Sequence, residues 1–214
     1  LNLQGGSFGL FKENVQLAKQ WNKYQLALSH SYQRSDGYRD HSAMDRNYFQ
    51  AYQQYQYSPL ASLRSLIFYS DLHYNTPGGL TAAQFADNPQ GSRPASPATR
   101  SAREQQAGIY SKTLYGGLSH EWQLAERFKH VASVFSSYTD FKNPFITNYE
   151  HRKELSLGLR TYLEYEQQKE DLKWKFNLGL ESMQTHTDFD NYDNEFGEPG
   201  AVQAIDDLNA ATTF

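Results

Sequence analysis

The chain has 214 residues, no cysteine and a formal net charge of -4 at pH 7. The lack of cysteine excludes a disulfide framework and a thiolate metal site, and the nearly balanced charge gives no indication of a nucleic-acid partner. No run of about 18 apolar residues is present, so the sequence predicts no transmembrane helix. The 16 tyrosines and 13 phenylalanines favour β-strands, in which aromatic side chains are enriched.

The chain alternates between strand-like segments and segments rich in turn residues. In chain order, the predicted strands are residues 1–6, 10–19, 24–34, 46–57, 60–71, 109–122, 128–139, 155–165 and 172–182. The last two show the pattern most clearly, because leucine and aromatic side chains occupy one face and charged, small or polar side chains the other. A period of two predicts a strand with one apolar face.

The connections between the predicted strands alternate in length after the first hairpin. Short turns are predicted near residues 20, 58, 124 and 168, and longer loops at residues 36–45, 72–106, 140–148 and 187–211. Transmembrane β-barrels combine short periplasmic turns with longer extracellular loops in this way. The alternation therefore predicts that the apolar face meets lipid. The charged face, which includes Arg160, Glu164, Lys173 and Lys175, would line the lumen.

The length of the two most regular strands leads to the predicted fold class. Each is about as long as a strand that crosses a bilayer, roughly 9–11 residues. We therefore predict an all-β fold, an antiparallel up-and-down meander that forms part of a transmembrane β-barrel with long extracellular loops. The alternative is a soluble all-β domain, such as a carbohydrate-binding sandwich, in which the apolar faces meet each other in a core.

Three short motifs resemble those of one protein family. They are GSFGL at residues 6–10, SDGYRDHS at residues 35–42 and NTPGGLT at residues 75–81. In their order and spacing they resemble the TonB-dependent outer-membrane receptors of the ferric-siderophore and ferric-citrate type, and the resemblance covers nearly the whole chain. It implies a barrel of about 22 strands whose lumen holds an N-terminal plug domain.

The resemblance also implies what the chain represents and what the whole protein does. Residues 1–214 would be a partial barrel domain with roughly the first nine or ten strands, without the plug and the C-terminal strands. Since AATT at residues 210–213 lacks the alternation of a terminal strand, we predict that Phe214 begins a truncated next strand. The implied function is TonB-energised uptake of a ferric siderophore or ferric citrate across the bacterial outer membrane. A receptor for a sugar or cobalamin, or a passive porin, would have a similar barrel and is an alternative.

The partners follow from the same resemblance. They are a ferric chelate or another small nutrient, the lipid of the outer membrane, and the protein's own plug domain and, through it, TonB. Nucleic acid is not among them. The resemblance implies that the extracellular loops capture the ligand before it passes through the lumen, so we expect ligand contacts in the predicted loops.

Two predicted loops supply candidate ligand-binding residues. In residues 72–106, guanidinium groups could pair with the carboxylate oxygens of an anionic chelate, and the alternative is a solvated loop that faces water or lipopolysaccharide. In residues 36–45, an aromatic ring, a cation and an imidazole lie close together, and the alternative is packing against neighbouring loops or the plug. The candidates are Tyr38, Arg39, His41, Arg93, Arg100 and Arg103.

The remaining motifs give no indication of chemistry. The acidic residues of 187–211 suggest calcium by composition, but Tyr192 stands where an EF-hand needs a ligand and the required glycine is missing, so we predict a solvated acidic loop. The sequence contains no G-x-S-x-G, HExxH, P-loop or G-x-G-x-x-G motif. We therefore predict a protein that is not an enzyme, with no cofactor and no resident metal.

Overall fold

A computed structural model describes residues 1–214, most of which belong to one antiparallel sheet. Ten strands follow one another in chain order, each hydrogen-bonded to the next. This confirms the predicted all-β, up-and-down meander. No helix of the protein is both long and apolar enough to cross a membrane. The elements are β1 (Asn2–Gly5), β2 (Phe11–Gln20), β3 (Tyr24–Ser35), β4 (Met44–Ser58), β5 (Ala61–Asn75), α1 (Ala82–Asp87), β6 (Gly108–Ala125), β7 (Phe128–Pro144), β8 (Asn148–Lys169), β9 (Leu172–Glu195) and β10 (Glu198–Thr213).

The later strands are much longer than predicted. β8 has 22 residues and β9 has 24, so β9 extends over about 80 Å at roughly 3.3 Å per residue. The predicted loop at residues 187–211 is therefore wrong, because β9 and β10 cover it except for a two-residue turn. The predicted loop at residues 140–148 is also wrong, because only residues 145–147 lie between β7 and β8.

Cross-strand pairing explains why these polar segments form strands. Lys153 lies opposite Asp188, and His151 lies opposite Asp190. The ring of His151 also reaches Asp140 on β7, with 3.0 Å between Nε2 and Oδ1. Opposite charges that face each other across a strand pair stabilise the sheet without any apolar contact.

The chain end also differs from the prediction. Phe214 exchanges two backbone hydrogen bonds with Glu181 on β9, at 2.9 and 3.1 Å. Those bonds continue the pairing of β10 with β9, which runs to Thr213 and Ser182. Phe214 therefore extends β10, and the prediction that it begins another strand is wrong.

The long connection between β5 and β6 contains the one helix. Thr81 caps the start of α1, since its hydroxyl accepts from the Gln84 amide at 3.2 Å while the Gln84 side chain accepts from the Thr81 amide at 2.9 Å. This capping box satisfies two amide groups that a helix start otherwise leaves unpaired. The predicted loop thus contains a short helix that we did not predict, although the T-x-x-Q spacing of residues 81–84 is typical of a capping box. Residues 88–107 are irregular, as predicted, but the predicted loop began at residue 72, and residues 72–75 belong to β5.

The two faces of the sheet differ in chemistry. Side chains of cross-strand partners lie on the same face of the sheet. One face, called the apolar face, carries leucine, valine and aromatic side chains that no other part of the protein covers. On this apolar face Leu178 is 81% exposed and Val134 59% exposed. Other exposed members of the apolar face are Leu17, Ile67, Leu118, Leu157, Leu159 and Leu180.

The opposite, polar face carries a ladder of ion pairs across β5 to β9. Glu164 is central, because its carboxylate accepts from Lys129 at 3.0 Å and from Lys175 at 2.9 Å, and its side chain is only 10% exposed. Further pairs join Arg64 to Glu121, Lys173 to Glu166 and Arg160 to Glu181. The predicted charged face is confirmed, since Arg160, Glu164, Lys173 and Lys175 all lie on it.

The connections sort to the two ends of the sheet. One end, called the turn end, carries residues 21–23, 59–60, 126–127 and 170–171, which confirms the short turns. The other, called the loop end, carries residues 6–10, 36–43, 76–107, 145–147 and 196–197. The connections at residues 36–43 and 76–107 are longer than the short turns, as predicted. Those at residues 145–147 and 196–197 are short because β7 to β10 are long.

At the turn end, each hairpin extends past the one before it. Phe128, the first residue of β7, pairs with Tyr165 rather than with the last residue of β8. Likewise Ala61 pairs with Trp122, three residues before the end of β6. Such a stagger between neighbouring hairpins is expected where strands tilt, as closure of a sheet into a barrel requires.

Candidate functional site at the loop end

The two loops that carry the candidate residues pack against each other. The Arg39 guanidinium donates to the Gly91 carbonyl through Nε at 3.0 Å and Nη2 at 2.7 Å, and the Asp40 amide donates to the Gln90 carbonyl at 2.7 Å. The first loop is able to make these contacts because Gly37 has φ of +79°, where an added Cβ would lie 2.4 Å from the Ser42 carbonyl oxygen. Arg39 therefore joins residues 36–43 to residues 76–107.

His41 holds the base of the longer loop. Its Nε2 lies 2.7 Å from the carbonyl oxygen of Ala107, which also accepts from the Thr76 amide at 2.9 Å. Thr76 and Ala107 are the first and last residues of the loop, so this carbonyl fastens both ends. Burial lowers the pKa of the His41 imidazole; the hydrogen bond to Ala107 opposes that effect, and the charges of Arg103 and His73 add to it.

Acid is expected to loosen this contact. An opened loop would return His41 to its usual pKa of 6.5, so the open state binds more protons than the packed state just below that pH. The packing is therefore at full strength above about pH 6.5 and weakens as the pH falls toward the lowered pKa that His41 has in the packed loop. Hydrogen exchange at the Thr76 amide, corrected for its intrinsic rate, should become several-fold less protected between about pH 7.5 and about pH 5.5.

The matched control is His41→Asn. Asparagine tolerates the positive φ of +58° at this position but does not titrate. Protection of Thr76 in the variant should therefore not change over this pH range. Equal pH dependence in the two proteins would contradict the role of His41.

The three arginines of the long loop are held differently. Arg93 is half-buried, where its Nη2 donates to the Thr99 hydroxyl at 3.1 Å and its amide to the Pro77 carbonyl at 2.7 Å. The Arg100 guanidinium lies over the ring of Phe196, 3.8 Å from the ring centroid. Arg103 is exposed and makes no ion pair.

The structure brings the six predicted residues to one end of the sheet without converging them on a single pocket. Tyr38 is 52% exposed and contacts Phe8 edge-on, with 5.5 Å between ring centroids. Arg39, His41 and Arg93 use their polar atoms to hold the loops. Arg103 keeps its charged group free, so a ligand contact at these loops stays a prediction.

A pair of buried amides, which the sequence did not indicate, joins three connections of the loop end. The Gln105 Nε2 donates to the carbonyls of Ile146 at 2.7 Å and Asn194 at 2.9 Å, and its Oε1 accepts from the Phe196 amide at 3.3 Å. The Asn194 Nδ2 donates to the carbonyls of Gln105, at 2.8 Å, and Phe145. We call this pair the amide clasp.

The amide clasp lies beside the most buried apolar residues of the loop end. Gln105 and Asn194 are 4% and 5% exposed, and Ala102, Ala107 and Ile146 form a small apolar cluster at 0–3%. Buried amides need all of their hydrogen bonds, and here both NH2 groups donate twice. Residues 76–107 are therefore anchored to the tips of β7–β8 and β9–β10.

One side-chain cluster has the residue types of a metal site. Ligand atoms of His186, Asp188 and Asp207 lie within 4.8 Å of one another on β9 and β10. Both ring nitrogens of His186 are already engaged, Nε2 with Asp188 at 3.1 Å and Nδ1 with Asn209 at 3.0 Å. The side chains are exposed, and a histidine bridging two carboxylate-bearing strands accounts for the geometry.

No protein-family model matches the sequence, and no curated protein matches it. Solved structures do match. The ferric citrate transporter FecA in its unliganded form has a TM-score of 0.75 at 18% identity, over 97% of this chain and 32% of that one. The ferripyoverdine receptor of the outer membrane of Pseudomonas aeruginosa, bound to ferripyoverdine, has a TM-score of 0.67 at 12% identity, over 99% of this chain and 33% of that one.

A third structure agrees with these two. BauA, the ferric preacinetobactin receptor of Acinetobacter baumannii, has a TM-score of 0.62 at 11% identity, over 97% of this chain and 35% of that one. This chain spans about a third of the length of each structure. At these identities the likeness concerns the fold, and the chain has the β-sheet fold of part of these receptors and transporters.

Proposed function

We propose that this chain is part of the barrel of a TonB-dependent outer-membrane receptor that takes up a ferric siderophore or ferric citrate. The observation that carries the proposal is the two-faced, staggered sheet, which shares its fold with transporters and receptors of ferric chelates. One face suits lipid, the other suits an aqueous lumen, and the stagger suits a closed barrel.

The apolar face supports the membrane location. Its exposed leucines would be costly in water, and aromatic rings gather on the same face toward the turn end, among them Trp122, Phe128, Trp174 and Phe176. Aromatic girdles lie at the edges of the apolar band in membrane barrels. The turn end would then be periplasmic and the loop end extracellular.

The soluble alternative fits less well. A sandwich needs a second sheet whose apolar face meets the first in a core. Here only 12 of 214 residues are buried, and the chain forms one sheet with its leucines exposed. That arrangement argues for lipid rather than protein as the partner of the apolar face.

The mechanism of the proposal assigns separate roles to the two ends. The loops at the extracellular end would capture the ferric chelate, with Arg100 and Arg103 offering exposed guanidinium groups to carboxylate oxygens. The polar face would form the lumen wall against the plug domain. TonB would act on that plug, so energy would enter through a part of the protein other than the wall.

Iron uptake tests the proposal directly. The native protein is expressed in cells that lack other iron receptors, with and without TonB, and uptake of radiolabelled ferric citrate and ferric siderophores is measured. We expect uptake of at least one chelate, abolished without TonB. Uptake that is independent of TonB would point to a passive porin, and iron-free transport of sugar or cobalamin would point to another substrate.

A further inference from the structure

Cations on the polar face fall into two groups. Eight of them lie on the strands, namely Lys12, Arg46, Arg64, Lys129, Arg152, Arg160, Lys173 and Lys175. Six have a carboxylate partner, for example Arg64 with Glu121 at 2.7 Å. Lys12 and Arg46 have none, which sets them apart from every other cation of this wall.

These two cations lie in one row of the sheet. Lys12 on β2 pairs with Gln33 on β3, and Gln33 pairs with Arg46 on β4. Facing partners on adjacent strands have Cβ atoms about 5 Å apart, so the lysine and arginine flank the glutamine at about 10 Å from each other. The geometry leaves a gap between two positive groups that a small anion can span.

The neighbouring row completes a cavity. Asn14 on β2 pairs with Ser31 on β3, which pairs with Tyr48 on β4. With the first row these side chains line a cavity of about 230 Å³ that contains no carboxylate. Arg46 lies over the Tyr48 ring at 5.3 Å, which steadies the guanidinium without neutralising it.

The polar groups of this cavity are largely unengaged. Ser31 donates to the Glu13 carbonyl at 3.0 Å and Tyr48 to Gln50 at 2.8 Å. The amides of Asn14 and Gln33, the Lys12 ammonium and the Arg46 guanidinium make no side-chain hydrogen bond within the protein. Four side chains with N–H donors therefore line the same cavity, and none of them has a hydrogen-bond partner in the protein.

The surrounding wall strengthens the charge asymmetry. The polar-face positions of β2 to β5 carry glutamine, serine, asparagine and aromatic residues but no aspartate or glutamate, whereas β6 to β9 carry the glutamates of the ion-pair ladder. The field of Lys12 and Arg46 is thus not compensated on their own half of the wall.

We propose that Lys12 and Arg46, with the amides of Asn14 and Gln33, form a binding subsite for the carboxylate groups of an anionic iron chelate. Arginine binds carboxylate through two parallel hydrogen bonds, lysine adds a point charge, and the amides donate to the remaining oxygens. Lys12 is the second residue of β2 and Arg46 the third of β4, so the subsite lies just inside the loop end. This inference rests on the proposed function, which makes the polar face the lumen wall.

Binding by the native receptor tests the subsite. Equilibrium dialysis in detergent measures affinity for ferric citrate and for a neutral ferric trihydroxamate, in wild type and in the double variant Lys12→Gln/Arg46→Gln. We expect the double variant to bind ferric citrate at least about tenfold more weakly, with less dependence on salt, and to bind the neutral chelate as wild type does.

Two further variants serve as controls. Arg34→Gln removes one positive charge next to Gln33 but on the apolar face, so ferric citrate affinity should not change. Lys12→Arg/Arg46→Lys keeps both charges and should keep most of the affinity, which separates loss of charge from a folding defect. Electrophoretic mobility before and after boiling reports whether each variant is folded.

Several outcomes would overturn the subsite. One is equal ferric citrate affinity in wild type and Lys12→Gln/Arg46→Gln. Another is a wild type that binds only the neutral chelate; that result would leave the proposed function intact. Unchanged affinity together with a plug that becomes protease-sensitive would assign the two cations to the plug instead. Citrate binding that depends on both residues, without TonB-dependent uptake, would support the subsite and reject the proposed function.

Discussion

Leu178→Arg is expected to lower the free energy of unfolding in a lipid bilayer by about 2–4 kcal/mol. Leu178 is 81% exposed on the apolar face of β9, where its cross-strand partner is Leu163. If that face meets lipid, the arginine places a charge within the hydrocarbon region. A denaturant titration of the native protein in lipid vesicles, followed by its electrophoretic mobility, measures the change.

The adjacent residue provides the matched control. Asn177 lies on the polar face, so Asn177→Arg places the same side chain on the lumen wall and should change the free energy by less than about 0.5 kcal/mol. A soluble protein would tolerate both substitutions equally, since surface changes cost little. Equal effects of the two variants would therefore contradict the membrane location.

The contrast between Leu178 and Asn177 also shows where sequence alone was sufficient. In residues 155–165 and 172–182 one face of each strand is apolar and the other is polar, so the sequence alternates with a period of two. In the rest of β9 both faces are mostly polar, so the alternation disappears although the strand continues. Asp188 and Asp190 therefore suggested a loop, and only their pairing with β8 reveals the strand.

The sequence predicted which residue types lie at the candidate site, but not which contacts their side chains make. Arginines in two predicted loops suggested ligand binding, yet Arg39 and Arg93 hold the loops together. The amide clasp joins Gln105 to Asn194 across 89 residues of sequence, and no local pattern distinguishes these two from other polar loop residues. The Lys12 and Arg46 cavity depends on register, which places residues of three strands in one row.

Gln105→Leu is expected to open the loop end. The substitution keeps the side-chain volume but leaves the Ile146 and Asn194 carbonyls without their donor in a buried site. Each lost partner costs about 1–3 kcal/mol, so the free energy of local opening should fall by about 2–6 kcal/mol. Hydrogen exchange of the Gly197 amide, which donates to Asn194 Oδ1 at 2.8 Å and not to Gln105, measures that opening in the native protein.

The control for Gln105 is its neighbour. Gln106 is exposed and donates one hydrogen bond, to the Phe196 carbonyl at 2.6 Å, so Gln106→Leu should change the opening energy by less than about 1 kcal/mol. Unchanged protection of Gly197 in Gln105→Leu would show that residues 76–107 are not anchored by the amide clasp.

A double-mutant cycle separates the clasp from two independent amides. Gln105 and Asn194 bond to each other's backbone, so once Gln105→Leu has opened the contact, Asn194→Leu has little left to remove. The double variant should therefore be less destabilised than the sum of the single variants, by about 1–2 kcal/mol.

The backbone of Phe196 also depends on the amide clasp. Its φ of +59° is unfavourable for a residue with a side chain, and the amide clasp together with Arg100 holds Phe196 in this conformation. Loss of the clasp should thus release Arg100, and with it one of the exposed guanidinium groups proposed to meet the chelate.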